Sequence, residues 1–479
     1  MKLSQLLSAI GTRCPWDADI TALACDSREV VPGALFAALK GSSTDGRAYI
    51  PDALARGAAA VVCAPPLPAE VNGAAMDDPR AALAPLATQF YGHPAEQLTL
   101  VAITGTKGKT TTAFMLREIF SAAGLKTGMI GTLGAWIGPE LLSAAVNTTP
   151  EPITLHRTLR QMADAGCSHV VMEVSSQAMK LRRVDGVQFD AALFLNLSPD
   201  HIGRGEHADF AEYRACKAAL FRQCDLALGN MQDPSWPVMA AQAPSGTPIT
   251  TFGFAPGADV RGRDSSPGRR PLSTRFFVDG AAEPYAVPLP GDFNAQNALA
   301  ATAAARALGV DDAAIRAGLA SVSVPGRTQR YPAPAPYTVL IDYAHNGESF
   351  RALLRTLRPH CAGRILLLFG AGGDRPKIRR TDMGRAASQG AEFAVLTTDN
   401  PRSECAEDIC GDIAGAFDAG FPYEIILDRR EAIFHILDLA RSGDIVALLG
   451  KGHEEYIEEN GARRFFSEWA VLDEYFSRH

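Results

Sequence analysis

The sequence has no long apolar segment of the kind that crosses a membrane or directs secretion. No run reaches the roughly 18 consecutive apolar residues that a membrane-spanning helix needs. The opening letters MKLSQLLSAIG lack the long apolar stretch and the cleavage site of a signal peptide. We therefore expect a cytoplasmic protein with no membrane partner.

Positive charge and closely spaced cysteines are also scarce. The chain has 46 Lys and Arg against 53 Asp and Glu, a net charge of −7. A nucleic-acid-binding surface normally shows clustered Lys and Arg, so we expect no nucleic-acid partner. The nine cysteines include no tight metal-type pair. We expect them to be reduced, with Cys405 and Cys410 simply packed in the fold.

The sequence does contain enough apolar material for several cores. Hydrophobic residues make up 47% of the 479 positions and charged residues 21%, and this length points to about three domains. Apolar runs alternate with helical patterns throughout, which predicts an α/β fold. Breaks at YGHPAEQ and YPAPAPY set the predicted domains at residues 1–97, 98–329 and 330–479.

Two different parallel sheets are predicted in the second and third domains. Residues 98–104, 169–174 and 191–197 have the pattern of buried strands in one sheet. Beyond residue 337, five apolar segments separated by helical patterns predict a Rossmann-like sheet. The segment 244–288, rich in Gly, Pro, Arg and Ser, favours antiparallel hairpins or a mobile insert.

The stretch VAITGTKGKTTT (101–112) has the pattern of a phosphate-binding loop between a strand and a helix. Glycines let backbone amides face phosphate oxygens, Lys109 can reach the outer phosphates, and Thr110 can ligate Mg²⁺. The general pattern has a glycine where Ile103 stands. The predicted nucleotide contacts are Gly105, Thr106, Lys107, Gly108, Lys109, Thr110 and Thr111.

Three polar side chains near the neighbouring strands could complete this site. Glu173 ends an apolar strand and is a candidate magnesium ligand at the carboxyl edge of the sheet. His201 follows the next strand, and Lys217 lies on a predicted helix shortly after. Read alone, Glu173 could be an ordinary strand-end acid, and the other two could be surface residues.

An ordered set of motifs resembles the Mur ligases of cell-wall peptide synthesis over nearly the whole chain. The motifs are TGTKGKTTT (104–112), NTTP (147–150), MEVSS (172–176), NLSPDH (196–201), GDFNAQNALAA (291–301), PGRTQ (325–329) and DYAHN (342–346). The resemblance implies a three-domain architecture with a central P-loop domain and a Rossmann-like C-terminal domain. It also implies ATP and Mg²⁺, two small-molecule substrates and a monomer.

The resemblance also implies a reaction and roles for individual residues. ATP would phosphorylate a substrate carboxyl group, and an incoming amine would displace the phosphate. Lys109, Lys217 and His345 would be catalytic, with Lys217 carbamylated. The implied metal ligands are Thr110, Glu173, His201 and Lys217. The implied nucleotide contacts outside the loop are Asn294, Asn297, Arg327 and Asp342.

Further motifs concern the other substrates. DSR (26–28), GSSTDGRAYI (41–50), DNPR (399–402) and GKGHE (450–454) are similar to members that add meso-diaminopimelate to UDP-N-acetylmuramoyl-L-alanyl-D-glutamate. The implied contacts are Ser27 and Arg28 for uridine diphosphate; Thr148, Thr149, Ser175 and Arg183 for the muramoyl peptide; and Arg375, Asp399, Asn400, Arg402, Gly450 and Glu454 for the amino acid. Read alone, DSR could be a loop, NTTP a turn and NAQNALAA a helix start.

The choice of amino acid rests on charge. Arg402 offers a planar fork for a carboxylate, and Glu454 offers an acceptor for an ammonium group. The distal end of diaminopimelate carries both groups, whereas lysine carries only the ammonium group. Pro199 and Gly203, however, are similar to lysine-adding members, and Gln177 and the pair Ser42–Ser43 leave room for a modified acceptor.

Three alternatives remain at the level of sequence. The first is the same ligation with lysine or another diamino acid. The second is a P-loop switch ATPase with a protein partner, which would leave DNPR and GKGHE unexplained. The third is a catalytically silent nucleotide-binding protein, which the presence of Lys109 and Glu173 disfavours.

Overall fold

Strands and helices alternate along the computed structural model, which describes residues 1–13, 17–41, 44–200, 202–203 and 206–478. The chain forms two units, the first comprising Met1–Arg263, Val278–Ala281 and Gln296–Leu319. The second comprises Asp264–Phe277, Ala282–Ala295 and the chain from Ala320 onward. The boundaries near residues 97 and 329 stay a prediction.

The N-terminal part of the first unit is a four-stranded parallel sheet with helices packed against it. Its strands are β1 (Ala22–Ala24), β2 (Ala34–Ala38), β3 (Ala60–Cys63) and β4 (Gly73–Ala75). Its helices are α1 (Leu3–Ser8), α2 (Ile50–Ala55) and α3 (Pro79–Phe90). Leu3, Leu6 and Leu7 of α1 pack in one buried cluster with Leu35 and Val62, because one face of the short helix is entirely apolar.

The rest of the first unit contains a larger parallel sheet. Its elements are β5 (Thr99–Thr104), α4 (Lys109–Ala122), β6 (Thr127–Gly131), β7 (Gly134–Ile137), β8 (Glu140–Ser143), α5 (Pro152–Asp164), β9 (His169–Glu173), α6 (Ser176–Lys180), β10 (Ala191–Phe194), α7 (Phe210–Ala218), β11 (Ala227–Asn230), α8 (Trp236–Ala240) and β12 (Ile249–Gly253). The order β12-β11-β10-β5-β9-β6 is parallel, and β7 and β8 continue it antiparallel. The strand before the phosphate loop is therefore central, between β10 and β9.

The segment 244–288 follows the hairpin prediction only in part. It contains β12, β13 (Val260–Pro267), β14 (Thr274–Val278) and β15 (Tyr285–Val287), and α9 (Asp292–Ala307) and α10 (Asp312–Ser321) follow. β14 and β15 do form an antiparallel hairpin. The prediction was wrong for β12 and β13, which pair parallel from Phe252 opposite Val260, because residues 254–259 carry the chain back alongside β12 before β13 starts in the same direction.

The second unit contains the Rossmann-like sheet, and all five predicted strands are present. The elements are β16 (Gln329–Tyr331), β17 (Thr338–Asp342), α11 (Gly347–Leu357), β18 (Ile365–Phe369), α12 (Ile378–Gly390), β19 (Phe393–Leu396), α13 (Ala406–Ala414), β20 (Tyr423–Ile425), α14 (Arg429–Leu439), β21 (Ile445–Leu449), β22 (Tyr456–Glu459), β23 (Ala462–Phe465) and α15 (Glu468–Arg478). The order is β16-β17-β21-β18-β19-β20, parallel except for β16. The segments after β17, β19 and β21 therefore emerge at one edge, where α/β sheets bind ligands.

Within the described residues, no helix combines the length and the apolar character that a membrane crossing requires.

Candidate active site

The phosphate loop has the predicted geometry of a strand, a glycine turn and a helix. β5 ends at Thr104, α4 begins at Lys109, and Gly108 between them has a φ of 88°. A Cβ atom on Gly108 would lie 2.4 Å from Oδ1 of Asn297. Both the left-handed backbone and this close approach require glycine. The first turn of α4 presents backbone amides and a partial positive charge, which suit an anion.

A Gly108→Ala substitution is expected to weaken ATP binding by at least about tenfold, because a left-handed alanine is strained by roughly 1–2 kcal/mol and its methyl group displaces Asn297. Isothermal titration with ATP measures the effect. Gly124→Ala is the matched control, since Gly124 has a φ of 77° with open space around its Cβ position. Equal ATP affinity in the two variants would contradict the assignment.

Two lysine side chains converge on one carbonyl group of this loop. Lys109 Nζ donates to the Gly105 carbonyl oxygen at 2.8 Å, and Lys217 Nζ donates to the same oxygen at 3.0 Å. Lys217 is buried, and burial together with the nearby Lys109 charge lowers its pKa well below the usual value. The structure thus brings the two predicted catalytic lysines together, and burial shifts the Lys217 equilibrium toward the neutral amine.

The Glu173 carboxylate is buried at the carboxyl end of β9. It accepts hydrogen bonds from Thr110 Oγ1 at 3.1 Å, from the Thr132 amide at 2.9 Å and from Thr132 Oγ1 at 3.2 Å. The Thr110 and Thr132 hydroxyls with this carboxylate form an all-oxygen donor set, which fits Mg²⁺. Thr132 was not predicted. Its position after β6, the neighbour of β9, is the signal that could have identified it.

The second predicted metal position is described only in part, because His201 lies outside the described residues. Among the described residues, Lys107 Nζ lies 3.1 Å from Asp200 Oδ2, and Thr106 Oγ1 lies 3.0 Å from the Tyr213 hydroxyl group. Thr111 is buried in the first turn of α4. The loop is thus connected to α7, the helix that carries Lys217.

The residues assigned to the muramoyl peptide adjoin Glu173. Thr149 Oγ1 donates to the Glu173 carbonyl oxygen at 2.9 Å and accepts from the Ser175 amide at 3.1 Å. Thr148 Oγ1 lies 3.1 Å from Thr132 Oγ1. Arg183 donates to the Thr149 carbonyl oxygen at 3.0 Å. These side chains hold one another beside the predicted magnesium site, and their contact with substrate stays a prediction.

The two residues assigned to uridine diphosphate differ in exposure. Ser27 is buried at the start of a 3₁₀ helix, Ser27–Glu29. The Arg28 side chain is 82% exposed and pairs with Asp26 at 2.5 Å. An exposed guanidinium group is free to exchange this partner for a phosphate at little cost. Ser42 and Ser43 lie outside the described residues.

In the second unit, Asp342 connects two of the predicted nucleotide motifs. Its carboxylate accepts from the Thr328 amide at 2.6 Å and the Ala344 amide at 2.7 Å. Arg327 lies over the Tyr343 ring, 5.1 Å from its centroid, and His345 Nδ1 lies 2.7 Å from the Tyr343 carbonyl oxygen. Asn294, on α9, donates to the Pro290 carbonyl oxygen at 2.8 Å. The contacts of these residues with ATP stay a prediction.

The segments DNPR and GKGHE meet at the carboxyl edge of the second sheet. Asn400 Nδ2 donates to Glu454 Oε2 at 2.8 Å, and Lys451 Nζ donates to Asn400 Oδ1 at 3.2 Å. A Cβ atom on Gly450, whose φ is 103°, would lie 2.5 Å from Asp399 Oδ2, so the two segments touch.

Arg402 and Arg375 complete the predicted set. Arg402 has a φ of 53° and donates to the Gly373 carbonyl oxygen at 2.6 Å, while the Arg375 side chain is exposed. Two other participants were not predicted: Lys451, which is fully buried, and Tyr343, whose hydroxyl donates to Glu454 at 3.3 Å. Both lie inside quoted motifs, so adjacency was the available signal. Cys405 is exposed and Cys410 buried, so the packing prediction was wrong for Cys405, which precedes α13 on the surface.

Three family models match successive parts of the chain: the Mur ligase family catalytic domain at residues 19–91, the Mur ligase middle domain at 103–305, and the Mur ligase glutamate ligase domain at 326–452. A relative from Geobacillus thermodenitrificans is 40% identical over 478 residues, 95% of each chain. The chain belongs to the Mur ligase family. That relative is named UDP-N-acetylmuramoyl-L-alanyl-D-glutamate–2,6-diaminopimelate ligase, and so is one from Aquifex aeolicus at 37% identity, over 95% of this chain and 93% of its own.

Two solved structures resemble the chain. A diaminopimelate ligase of this type matches with a TM-score of 0.73 at 29% identity, covering 100% of this chain and 99% of its own. A MurF ligase from Thermotoga maritima in complex with ADP matches with a TM-score of 0.61 at 19% identity, covering 95% and 97%, and shows the fold alone. The predicted recognition, α/β fold class and ATP-dependent ligase class are confirmed. The hypotheses of a switch ATPase and of a silent nucleotide-binding protein are set aside.

Proposed function

We propose that this protein uses ATP to join meso-diaminopimelate to UDP-N-acetylmuramoyl-L-alanyl-D-glutamate. The observation that carries the choice of amino acid is the cluster after β19 and β21, where one sheet edge holds Arg402, Asn400 and Glu454. A guanidinium group suits the distal carboxylate of diaminopimelate, and a carboxylate suits its ammonium group. The names of the relatives agree with this assignment.

The chemistry divides into two steps. The glutamate carboxylate oxygen attacks the γ-phosphorus of ATP, and the bond to ADP breaks, giving an acyl phosphate. The diaminopimelate ammonium group gives one proton to solvent, and the resulting amine attacks the acyl carbon through its lone pair. Inorganic phosphate leaves, and the nitrogen gives a second proton to solvent as the amide forms. A carboxylate is a poor electrophile until phosphate replaces its oxygen as leaving group, so positioning and charge neutralisation carry the rate.

The protein groups supply that positioning and charge. Lys109 neutralises negative charge on the outer phosphates, and the α4 amides orient them. Thr110 and Glu173 would hold Mg²⁺, which supplies further positive charge when bound. The buried Lys217 amine would react with CO₂ and release a proton, giving a carbamate that supports a second metal position with His201. His345 would act near the reacting groups. A cytoplasmic location and a monomeric state belong to the same proposal.

Product mass tests the proposal directly. The protein is incubated with ATP, Mg²⁺ and the UDP-muramoyl dipeptide, with diaminopimelate or lysine offered separately, and the products are weighed by mass spectrometry. We expect an adduct with diaminopimelate and little with lysine. An adduct with lysine alone would favour the alternative that Pro199 and Gly203 support, and no adduct with either would point to a modified acceptor.

Arg402→Ala is expected to lower kcat/KM for diaminopimelate by about 10–100-fold, because a desolvated carboxylate that loses its partner costs roughly 1–3 kcal/mol. The KM for ATP should change by less than about twofold. Steady-state kinetics with each substrate varied in turn measures both values. The exposed Arg464→Ala is the control, and an unchanged KM for diaminopimelate in Arg402→Ala would remove the assignment.

A further inference from the structure

A buried ion pair lies directly behind the amino-acid segments. Arg429 begins α14 and Glu468 begins α15, and their side chains are 0% and 2% exposed. Arg429 Nη2 and Nε donate to Glu468 Oε1 at 2.6 and 3.0 Å. This pair plays no part in the reaction steps described above. Burying two charges costs desolvation free energy, so we expect the pair to have a role other than surface charge pairing.

The remaining donors of Arg429 bind two backbone carbonyl groups. Nη1 donates to the Thr398 oxygen at 3.1 Å, and Nη2 donates to the Leu449 oxygen at 2.9 Å. Thr398 directly precedes Asp399, and Leu449 directly precedes Gly450. One planar guanidinium group therefore donates hydrogen bonds to both segments. In each segment, the bonded carbonyl group belongs to the residue before a predicted diaminopimelate contact.

The spacing of these two segments decides which side chains meet. Asn400 from the first contacts Lys451 and Glu454 from the second, at 3.2 and 2.8 Å. The space between Gly450 and Asp399 is too small for a methyl group. A displacement of either segment by a fraction of an ångström breaks these contacts, and binding geometries of this kind tolerate about 0.5 Å.

We propose that Arg429, held in place by Glu468, is a positioning residue that sets the distance between the two segments that bind the diamino acid. This inference rests on the proposed function. Glu468 orients the guanidinium plane so that its outer nitrogen atoms face the two carbonyl groups. A lysine at position 429 cannot replace this guanidinium group, because a single ammonium group does not reach both carbonyl groups and the carboxylate in one plane.

The electrostatics require that the pair be treated as a unit. Burial raises the pKa of Glu468, and the Arg429 charge opposes that rise. Removing one partner alone leaves an uncompensated buried charge, whereas replacing both by apolar side chains of similar size preserves packing. The informative change is therefore the double substitution Arg429→Met with Glu468→Met.

The chain offers a matched control pair on the same two helices. Arg430 Nη2 contacts Glu474 Oε1 at 2.6 Å, with side chains 40% and 33% exposed. The double substitution Arg430→Met with Glu474→Met removes an equivalent bridge between α14 and α15. It leaves the bonds of Arg429 to Thr398 and Leu449 in place.

The experiment measures kcat, the KM for diaminopimelate and for ATP, and Tm for the full-length protein and the two double variants. We expect the Arg429/Glu468 variant to show a KM for diaminopimelate raised at least about tenfold and a KM for ATP within about twofold of wild type. The control should keep both KM values. An unchanged KM for diaminopimelate in the folded Arg429/Glu468 variant, or an equal rise in both KM values, would overturn the inference.

Arg429→Lys keeps the positive charge and covers the case in which the double variant does not fold. Its KM for diaminopimelate should rise by about 3–10-fold, with the KM for ATP unchanged. A wild-type KM for the amino acid in Arg429→Lys would also overturn the inference. If the wild-type protein ligates lysine instead, the proposed function fails, and the same variants then test the inference through the KM for lysine.

Discussion

Replacing Lys217 with alanine is expected to lower the ligation rate by about 10³-fold or more, and added acetate or propionate should restore part of it. The buried amine contacts the Gly105 carbonyl group of the phosphate loop at 3.0 Å, beside Lys109. If its product with CO₂ is the active form, alanine removes the anion that would support the second metal position, and with it positive charge that would stabilise the transferring phosphoryl group. A small carboxylate can occupy the vacated space and resupply that anion.

The readouts of this prediction separate two roles for Lys217. Steady-state rates are measured with and without the carboxylate, and ¹³C-labelled bicarbonate is used to detect the carbamate by NMR. Lys126→Ala, which changes an exposed lysine, should behave as wild type. Lost activity that no carboxylate restores, without a labelled carbamate in the wild type, would mean that Lys217 acts only as a hydrogen-bond donor to the loop.

Glu173→Gln is expected to lower kcat by about 10²–10³-fold and to raise the Mg²⁺ concentration needed for half-maximal activity. The amide keeps the shape of the carboxylate and can still accept the bond from the Thr132 amide, so the fold is preserved. It removes the negative charge from the Thr110 and Thr132 donor set. Mg²⁺ titrations of the initial rate measure the change.

The control for this second change lies on the helix that follows the phosphate loop. Glu118 is partly exposed and pairs with Arg117 at 2.6 Å, so Glu118→Gln should leave the Mg²⁺ dependence unchanged. A Glu173→Gln enzyme that retained the wild-type Mg²⁺ dependence would exclude Glu173 as the metal ligand. The Tm of both variants shows whether any loss arises from unfolding instead.

Local patterns predicted the elements that carry the site. A buried apolar run predicted the strand at 98–104, which the structure has at Thr99–Thr104. A helical period predicted the helix behind the glycine turn, and that helix begins at Lys109. The five strands of the second sheet were predicted for the same reason. Where the pattern was weak, in 244–288, the pairing of β12 with β13 was predicted with the wrong direction.

Contacts between distant residues were beyond such patterns. Lys217 and Gly105 are 112 positions apart and still share a hydrogen bond. Thr132 meets Glu173 only because β6 and β9 are neighbours in the sheet. Nothing near Arg429 in sequence indicates that it binds the carbonyl groups before Asp399 and Gly450.

The sequence alone therefore determined the α/β class, the phosphate loop and, through its ordered motifs, the Mur ligase resemblance. These properties depend on residue type and short spacing. Only the tertiary structure decided which side chains share a carbonyl group, which carboxylate is buried and which segments touch. Such contacts are fixed by strand order and packing, which bring together groups that the chain itself keeps far apart.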